Sequence, residues 1–160
     1  LADCYLMLGQ NRKVISLLGG YKSENMAHNY MLGMALIRDG QYAKGQVLVD
    51  QVLRAGESVE ALYLLATTQM ASEDNKNALA TIEKALALNP DFRGIHSLYG
   101  QSKLRDGNPE AARAAFEEEL RRNPLDFEAN LYLGGLYRLD KDYEKAEGLL
   151  RRAQQLRPAS

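Results

Sequence analysis

Apolar residues recur along the chain at three- and four-residue spacing, which is the period of an amphipathic helix. In residues 130–139, for example, they are Leu133, Leu136 and Tyr137. Short polar stretches separate such segments, namely RDGQY at 38–42, SEDNK at 72–76, RDGNP at 105–109 and LDKDY at 139–143. The pattern therefore predicts pairs of helices that are joined by short turns.

Small residues and prolines recur at a fixed period along the chain. The small residue in the middle of each first apolar segment is Gly33, Ala66, Gly100 or Gly134, in steps of 33, 34 and 34. A second small residue follows twelve places later, at Gly45, Ala78, Ala112 and Ala146. Prolines form a third series, at Pro90, Pro124 and Pro158. Three series with one period predict a tandem array of similar helix pairs.

The small residues have a physical role if each pair is antiparallel. Helices joined by about four residues must pack against each other, and helix axes in contact lie about 8–10 Å apart. We expect Gly134 and Ala146 to form this crossing. A leucine at either position would overpack it, at a cost of roughly 1–3 kcal/mol.

Turn and capping residues mark the ends of the predicted helices. Gly40 and Gly107 are natural helix stops. Asn108 before Pro109 predicts an N-cap followed by proline at the first helical position. We expect NPD at 89–91 and NPLD at 123–126 to end one helix and to cap the next.

These features resemble the tetratricopeptide repeat, whose pattern is Trp-x2-Leu-Gly-x2-Tyr, then Ala, x3, Phe and a closing Pro over 34 residues. The last repeat matches at Leu133, Gly134, Tyr137, Ala146, Ala153 and Pro158. The tryptophan position departs from the pattern and holds Asn29, Leu62, His96 and Asn130. The resemblance implies an all-α fold, a right-handed superhelical solenoid of antiparallel helix pairs.

The period also predicts the organisation of the chain. We expect residues 1–160 to form a single solenoid, and the opening at Leu1 suggests a piece of a longer protein. Its parts are a partial repeat at 1–25 and full repeats at about 26–58, 59–92, 93–126 and 127–160.

Composition excludes some classes of function. Hydrophobic residues make up 46% of the chain and charged residues 26%, with a net charge of −1. This balance argues against a general nucleic-acid binder, which shows a basic face. No apolar run approaches the roughly 18 residues of a membrane span, so no membrane insertion is expected. Cys4 is the only cysteine and is expected to be a small core residue, and the compartment is left open.

The sequence offers no arrangement that is typical of catalysis, and we predict no catalytic residue, cofactor or metal site. His28 and His96 lie two repeats apart, too far to share a metal, and a packed role is expected for His96. The Glu117–Glu119 run is typical of a solvated helix face. No Gly-rich phosphate loop is present.

The resemblance implies that the first helix of each repeat lines a concave groove that suits a peptide or a helix. Counting fixed places from each repeat start gives a candidate protein-binding groove of Tyr30, Met34, Arg38, Tyr63, Thr67, Met70, Ser97, Gln101, Arg105 and Arg138. Tyrosine and arginine are enriched at binding hot spots. For Met34 and Met70, packing between repeats is an equal alternative. The fifth and ninth places hold no Lys or Asn, so the family's carboxylate-clamp subtype is not expected.

We therefore expect a protein–protein interaction scaffold or adaptor with a protein or peptide partner and no enzymatic activity. One alternative is a regulatory or substrate-docking arm of a larger enzyme. Another is a structural role by self-association, since Leu149, Leu150, Ala153 and Leu156 would leave apolar surface on the final helix. That surface predicts end-to-end contacts between chains.

Overall fold

A computed structural model describes residues 1–20 and 22–157 of the chain; Pro158, the last proline of the series, lies outside them. Within these residues the structure is helical and contains no strand. The helices are α1 (Ala2–Met7), α2 (Asn11–Leu18), α3 (Met26–Arg38), α4 (Tyr42–Arg54), α5 (Val59–Ala71), α6 (Asn75–Leu88), α7 (Ile95–Arg105), α8 (Pro109–Arg122), α9 (Phe127–Leu139) and α10 (Tyr143–Leu156).

Consecutive helices pack in pairs, each first helix against the second helix that follows it. The chain divides into two compact units, Leu1–Leu88 with α1 to α6, and a second unit that begins at Asn89 and holds α7 to α10. In the first unit, α3 also packs against α1, α2 and α5, and α4 packs against α5. In the second unit, α9 packs against α7 and α8. The expected all-α fold of helix pairs is confirmed.

Every first helix ends in the same left-handed turn. The residue with positive φ is Gly9, Gly40, Glu73, Gly107 or Lys141. In the last of these turns, the amide of Lys141 donates to the Arg138 carbonyl at 3.1 Å, and the amide of Asp142 donates to the Tyr137 carbonyl at 2.9 Å. This is the Schellman pattern, which satisfies carbonyls that the helix end would otherwise leave unpaired.

At two of the predicted turns the left-handed residue is not glycine, which the sequence did not indicate. The stops at Gly40 and Gly107 are confirmed, because both residues adopt the left-handed conformation that glycine tolerates. Glu73 and Lys141 adopt it without that tolerance, at a cost of roughly 1–2 kcal/mol each. The position in the repeat, and not the residue type, therefore fixes the turn.

In the second unit, glycines of the first helices accommodate large side chains of the second helices. A Cβ added to Gly100 would lie 2.6–2.9 Å from ring atoms of Phe116, which is fully buried. A Cβ on Gly134 would lie 2.8 Å from Cγ of Leu150, which follows Phe116 by one repeat. The crossing thus differs from the small-against-small contact that we expected, because a large residue fills the space beside each glycine.

Side chains cap most first helices from one place in the repeat. Asn25, Ser58 and Asp126 accept hydrogen bonds from the amides of His28 (3.2 Å), Ala61 (3.2 Å) and Ala129 (2.8 Å), respectively. The equivalent place before α7 is Phe92, which has no oxygen to offer, and the N-cap is Gly94 in a left-handed conformation. The predicted cap within 89–91 was therefore wrong. Asp91 instead pairs with Arg122, at 2.8 Å.

Polar residues at the tryptophan position bind the loop that precedes their helix. Nε2 of His96 lies 2.9 Å from the carbonyl oxygen of Pro90, and Nδ2 of Asn130 donates to the carbonyl of Pro124 at 3.1 Å. A carbonyl only accepts hydrogen bonds, so Nε2 of His96 carries the proton. These departures from the family pattern satisfy the carbonyl of a turn proline six residues earlier, and the expected packed role of His96 is confirmed.

Ion pairs between neighbouring repeats also follow the period. Arg12 pairs with Asp39 at 3.2 Å, and Arg113 pairs with Asp140, and both pairs span 27 residues. Each joins the start of a second helix to the turn that ends the next first helix. Surface pairs of this kind contribute about 0–1 kcal/mol, so they favour one arrangement of repeats without dominating stability.

One expectation about exposure was wrong, because Cys4 is exposed and is not part of the core. On α10, Ala153 is buried, whereas Leu149, Leu150 and Leu156 keep part of their surface accessible. End-to-end contact between chains stays a prediction.

Adjacent glycines of α9 provide a direct test of the packing. A Cβ on Gly135, unlike one on Gly134, would meet nothing within 4 Å. We expect Gly134→Ala to lower the free energy of unfolding, because overlap with Leu150 costs about 1–3 kcal/mol. We expect Gly135→Ala to raise it by about 0.5–1 kcal/mol, since alanine is favoured over glycine in a helix interior. Urea denaturation measures both changes.

Larger side chains extend this test with a control in the same helix pair. Gly134→Leu and Ala146→Leu should lower the melting temperature far more than Glu144→Leu, because Glu144 is exposed whereas Gly134 and Ala146 are buried. Equal effects of the three leucine substitutions, or a change of the same sign for both alanine variants, would contradict the packing argument.

Candidate protein-binding surface

The ten residues of the predicted groove divide between the two units. Tyr30, Met34 and Arg38 lie on α3, and Tyr63, Thr67 and Met70 lie on α5. The second unit holds Ser97, Gln101 and Arg105 on α7 and Arg138 on α9. All ten therefore lie on first helices, as the repeat register requires.

Exposure separates packing residues from surface residues in the first unit. Met34, Tyr63 and Met70 are only 1%, 7% and 5% exposed. Tyr30 and Thr67 are partly exposed and Arg38 is exposed. We therefore assign the first three to packing, which leaves Tyr30, Thr67 and Arg38 as the accessible residues of the prediction.

Tyr30 presents a neutral phenol in this surface. The pKa of Tyr30 is raised far above its ordinary value, mainly because burial disfavours the phenolate and also because Tyr63 lies nearby. The charge of Arg38 acts on this pKa in the opposite direction, against the larger effect of burial. Tyrosine and arginine are both enriched at binding hot spots.

Ser97 serves packing within the second unit. It is 2% exposed, and its hydroxyl donates to Oδ1 of Asp126 at 2.6 Å. The same oxygen caps α9, so Ser97 ties α7 to the start of the next first helix. Gln101 is partly exposed, and Arg105 and Arg138 are exposed.

Two further positions on α9 are accessible. Leu131 is 39% exposed, and Gly135 has open space where a side chain would lie. They occupy the fifth and ninth places of their repeat, so the count of places that selected Tyr30 and Thr67 also identifies them.

A buried carboxylate holds the start of α7 in place. Glu119 on α8 is 1% exposed and accepts hydrogen bonds from the amides of Gly94 (2.9 Å) and His96 (3.2 Å). The expected solvated face for residues 117–119 holds for the exposed Glu117 but was wrong for Glu119. Three consecutive helical residues point in different directions, so one of them reaches the interior.

The repeat register explains why a carboxylate occupies this interior position. The equivalents of Glu119 in the other full repeats are Val52, Ala85 and Ala153, all buried and apolar. Only α7 among the first helices of the full repeats has no capping side chain before it. Glu119 therefore replaces, from the second helix of the same repeat, the cap that Phe92 does not supply.

Burial and hydrogen bonding act in opposite directions on this carboxyl group. Burial raises the pKa of Glu119 above its ordinary value, while the hydrogen bond from the Gly94 amide opposes the rise. The neighbouring Asp126 raises it further. The net rise in pKa makes ionised Glu119 less stable in the folded chain than in water.

In residues 1–20 and 22–157, no group of three or more His, Cys, Asp or Glu side chains has an arrangement that would hold a metal ion. None of the described helices combines the length and apolar character that crossing a bilayer requires.

Comparisons with known proteins agree with this geometry. The sequence model of the tetratricopeptide repeat matches residues 30–93 and 98–160. No curated protein matches the sequence. The fold is similar to a crystal structure of MamA, with 18% identity over 93% of this chain and 85% of that chain and a TM-score of 0.61.

Two further solved structures show the same fold similarity. MamA from Desulfovibrio magneticus RS-1 has 19% identity over 97% of this chain and 90% of that chain, with a TM-score of 0.61. YrrB, described as a TPR protein with an unusual peptide-binding site, has 21% identity over 98% of this chain and 83% of that chain, with a TM-score of 0.58. At these identities the similarity concerns the fold alone.

The capping role of Glu119 predicts a large loss of stability on its removal. Glu119→Ala should lower the free energy of unfolding by about 2 kcal/mol or more, because each unsatisfied buried amide costs about 1–3 kcal/mol. Glu147→Ala is the control, since that exposed residue forms only a surface pair with Arg151, worth up to about 0.5 kcal/mol. Equal losses in denaturant titration would contradict the role.

The raised pKa of Glu119 predicts a pH effect of definite sign. A carboxyl group whose folded-state pKa lies above the unfolded value contributes stability that is complete below that value, here about 4.5, and lost as pH rises through the folded-state pKa. Relative to Glu119→Gln, the parent chain should therefore lose unfolding free energy from pH 4.5 upward. Denaturation of both chains at a series of pH values measures their unfolding free energies. A parent chain that gains unfolding free energy relative to Glu119→Gln as pH rises would contradict the prediction.

Proposed function

Because the chain belongs to the tetratricopeptide repeat family, we propose that it is a protein–protein interaction scaffold whose first helices bind a peptide or a helix of another protein. The description of YrrB as a TPR protein with a peptide-binding site supports this proposal by analogy of fold. The same surface serves equally if the chain is a docking arm of a larger enzyme.

One observation carries the proposal. On the first helices α3 and α5, Tyr30, Arg38 and Thr67 keep accessible surface although their neighbours Met34, Tyr63 and Met70 are buried. Packing thus accounts for the second group and leaves the first group available for a ligand.

The chemistry of the accessible residues favours a polypeptide ligand. Tyr30 offers an aromatic face and a neutral hydroxyl, which suits apolar side chains as well as backbone carbonyls. Arg38 offers several N–H donors for carbonyl or carboxylate oxygens. Thr67 donates its hydroxyl to the Tyr63 carbonyl at 2.8 Å, so its methyl group remains for contact.

Recovery of a partner and measurement of variants test the proposal. A partner is recovered from cell extract with the immobilised chain and its affinity is then measured. Tyr30→Ala should weaken binding by about 2 kcal/mol, roughly thirtyfold, as expected for a hot-spot tyrosine. Arg38→Ala should weaken binding and reduce its dependence on salt, because the lost contact is electrostatic.

Matched controls on a second helix make this experiment specific. Arg54→Ala changes an exposed arginine in the last turn of α4, as Arg38→Ala does in α3, and Tyr42 is a tyrosine that is 52% exposed. The exposed Glu117 on α8 would be a less suitable control than these two residues, because it accepts a hydrogen bond from the Tyr137 hydroxyl at 3.0 Å. Loss of binding in the Arg54 and Tyr42 variants, with full binding in the Arg38 and Tyr30 variants, would place the partner on the second helices.

A further inference from the structure

Two turns of the first unit carry exposed apolar residues. Met7 and Leu8 lie at the end of α1 and are 49% and 45% exposed, and Tyr42, the first residue of α4, is 52% exposed. The corresponding segment of the third helix pair, residues 71–78, contains no large apolar residue. Exposed apolar residues among polar ones often mark a surface that binds a protein or a membrane.

The charges of the same two turns are mainly positive. Residues 7–14 contain two basic residues and no acidic one, and residues 38–45 contain two basic residues and one carboxylate, Asp39. The excess remains when the third turn of the unit, residues 71–78, is included. The three segments then hold five basic and three acidic residues, namely Arg12, Lys13, Arg38, Lys44 and Lys76 against Asp39, Glu73 and Asp74.

An ion pair holds the first two turns beside each other. Nε of Arg12 lies 3.2 Å from Oδ1 of Asp39, and α3 packs against both α1 and α2. Lys13 and Lys44 have uncharged partners. Nζ of Lys13 lies 5.1 Å from the centroid of a tyrosine ring on α1, and Nζ of Lys44 donates to Oε1 of Gln41 at 3.0 Å. These contacts leave the two lysine charges in place.

We propose that these turns form a face that binds the surface of an anionic lipid bilayer without crossing it. This turn face consists of Met7, Leu8, Arg12, Lys13, Tyr42 and Lys44. None of the six residues belongs to the candidate groove, so the inference does not rest on the proposed function.

The chemistry of the turn face matches the layers of a bilayer surface. Acidic headgroups attract Lys and Arg side chains. Apolar side chains enter the boundary between headgroups and acyl chains, where tyrosine is also favoured because it has an apolar ring and a polar hydroxyl. A bilayer accepts apolar side chains from turns without a pocket of matching shape, which favours it over an acidic polypeptide as the occupant.

The last helix pair provides a matched comparison within the chain. Leu139 is 75% exposed and Tyr143, which like Tyr42 is the first residue of a second helix, is 64% exposed. Residues 138–145 contain three basic and three acidic residues. This turn therefore offers similar apolar exposure without the positive charge, and we expect it not to bind the bilayer.

Sedimentation of the full chain with lipid vesicles tests the inference. The chain should sediment with vesicles that contain phosphatidylglycerol, should not sediment with phosphatidylcholine alone, and should be released as salt is raised. Lys13→Gln/Lys44→Gln should lower the partition coefficient at least tenfold, because each basic residue near an anionic surface contributes roughly fivefold. Leu8→Ser/Tyr42→Ser should also lower it at least tenfold, because apolar contact is lost.

Two control variants lie in the second unit. Leu139→Ser/Tyr143→Ser removes equally exposed apolar side chains, and Arg151→Gln/Arg152→Gln removes two exposed charges of α10. Both variants should bind the vesicles as the parent chain does.

A fluorescence measurement locates the contact without loss of a side chain. The chain contains no tryptophan, so Tyr42→Trp and Tyr143→Trp each introduce a single fluorophore at matched places. Addition of phosphatidylglycerol vesicles should shift the emission of the Tyr42→Trp variant to shorter wavelength and leave that of the Tyr143→Trp variant unchanged.

Three results would overturn the inference and leave the proposed scaffold function standing. The first is failure of the chain to sediment with phosphatidylglycerol vesicles. The second is an equal loss of binding in the turn-face and control variants, or an equal spectral shift in both tryptophan variants. The third is retention on immobilised polyglutamate without binding to vesicles, which would assign the turn face to an acidic polypeptide.

Discussion

Contact between a small residue on one helix and a large residue on its partner determines most of this structure. Where Gly100 lies against Phe116, and Gly134 against Leu150, no Cβ can be added without displacing a side chain. Helices that approach this closely need a short connection, and the left-handed turns at Gly107 and Lys141 provide it. The same contact occurs twice in the second unit, 34 residues apart, in the pairs α7–α8 and α9–α10.

This packing also decides which residues are left for binding. The interior takes up large side chains such as Phe116, Met34 and Leu64, whereas Tyr30, Arg38, Leu131 and Arg138 of the first helices keep accessible surface. These residues contribute little to the core, so they can vary without loss of the fold. In a repeat protein, the scaffold and the specificity of binding are therefore encoded at separate positions.

Features that depend on local sequence or on period could be predicted. The turns at Gly40 and Gly107, the Asn108 cap and the boundaries of the second helices follow from residues close in the chain. Burial of Glu119 and of Ser97 could not be predicted this way, because each side chain is satisfied by a group 23 or more residues away. The exposure of the candidate residues was likewise predicted only in part, since the period places Met34 and Tyr30 on one helix but does not say which of them a neighbouring helix covers.

The cap supplied by Glu119 means that the start of α7 needs no capping side chain from the loop before it. Helices α3, α5 and α9 depend on Asn25, Ser58 and Asp126, residues of the connections between repeats, for their first hydrogen bonds. Helix α7 takes its N-terminal cap from α8, so this helix pair supplies the cap of its own first helix. The connection at residues 89–93 therefore does not need the capping Asn, Ser or Asp that the other connections supply. Insertion, lengthening or exchange of repeats during evolution would disturb helix capping least at this junction.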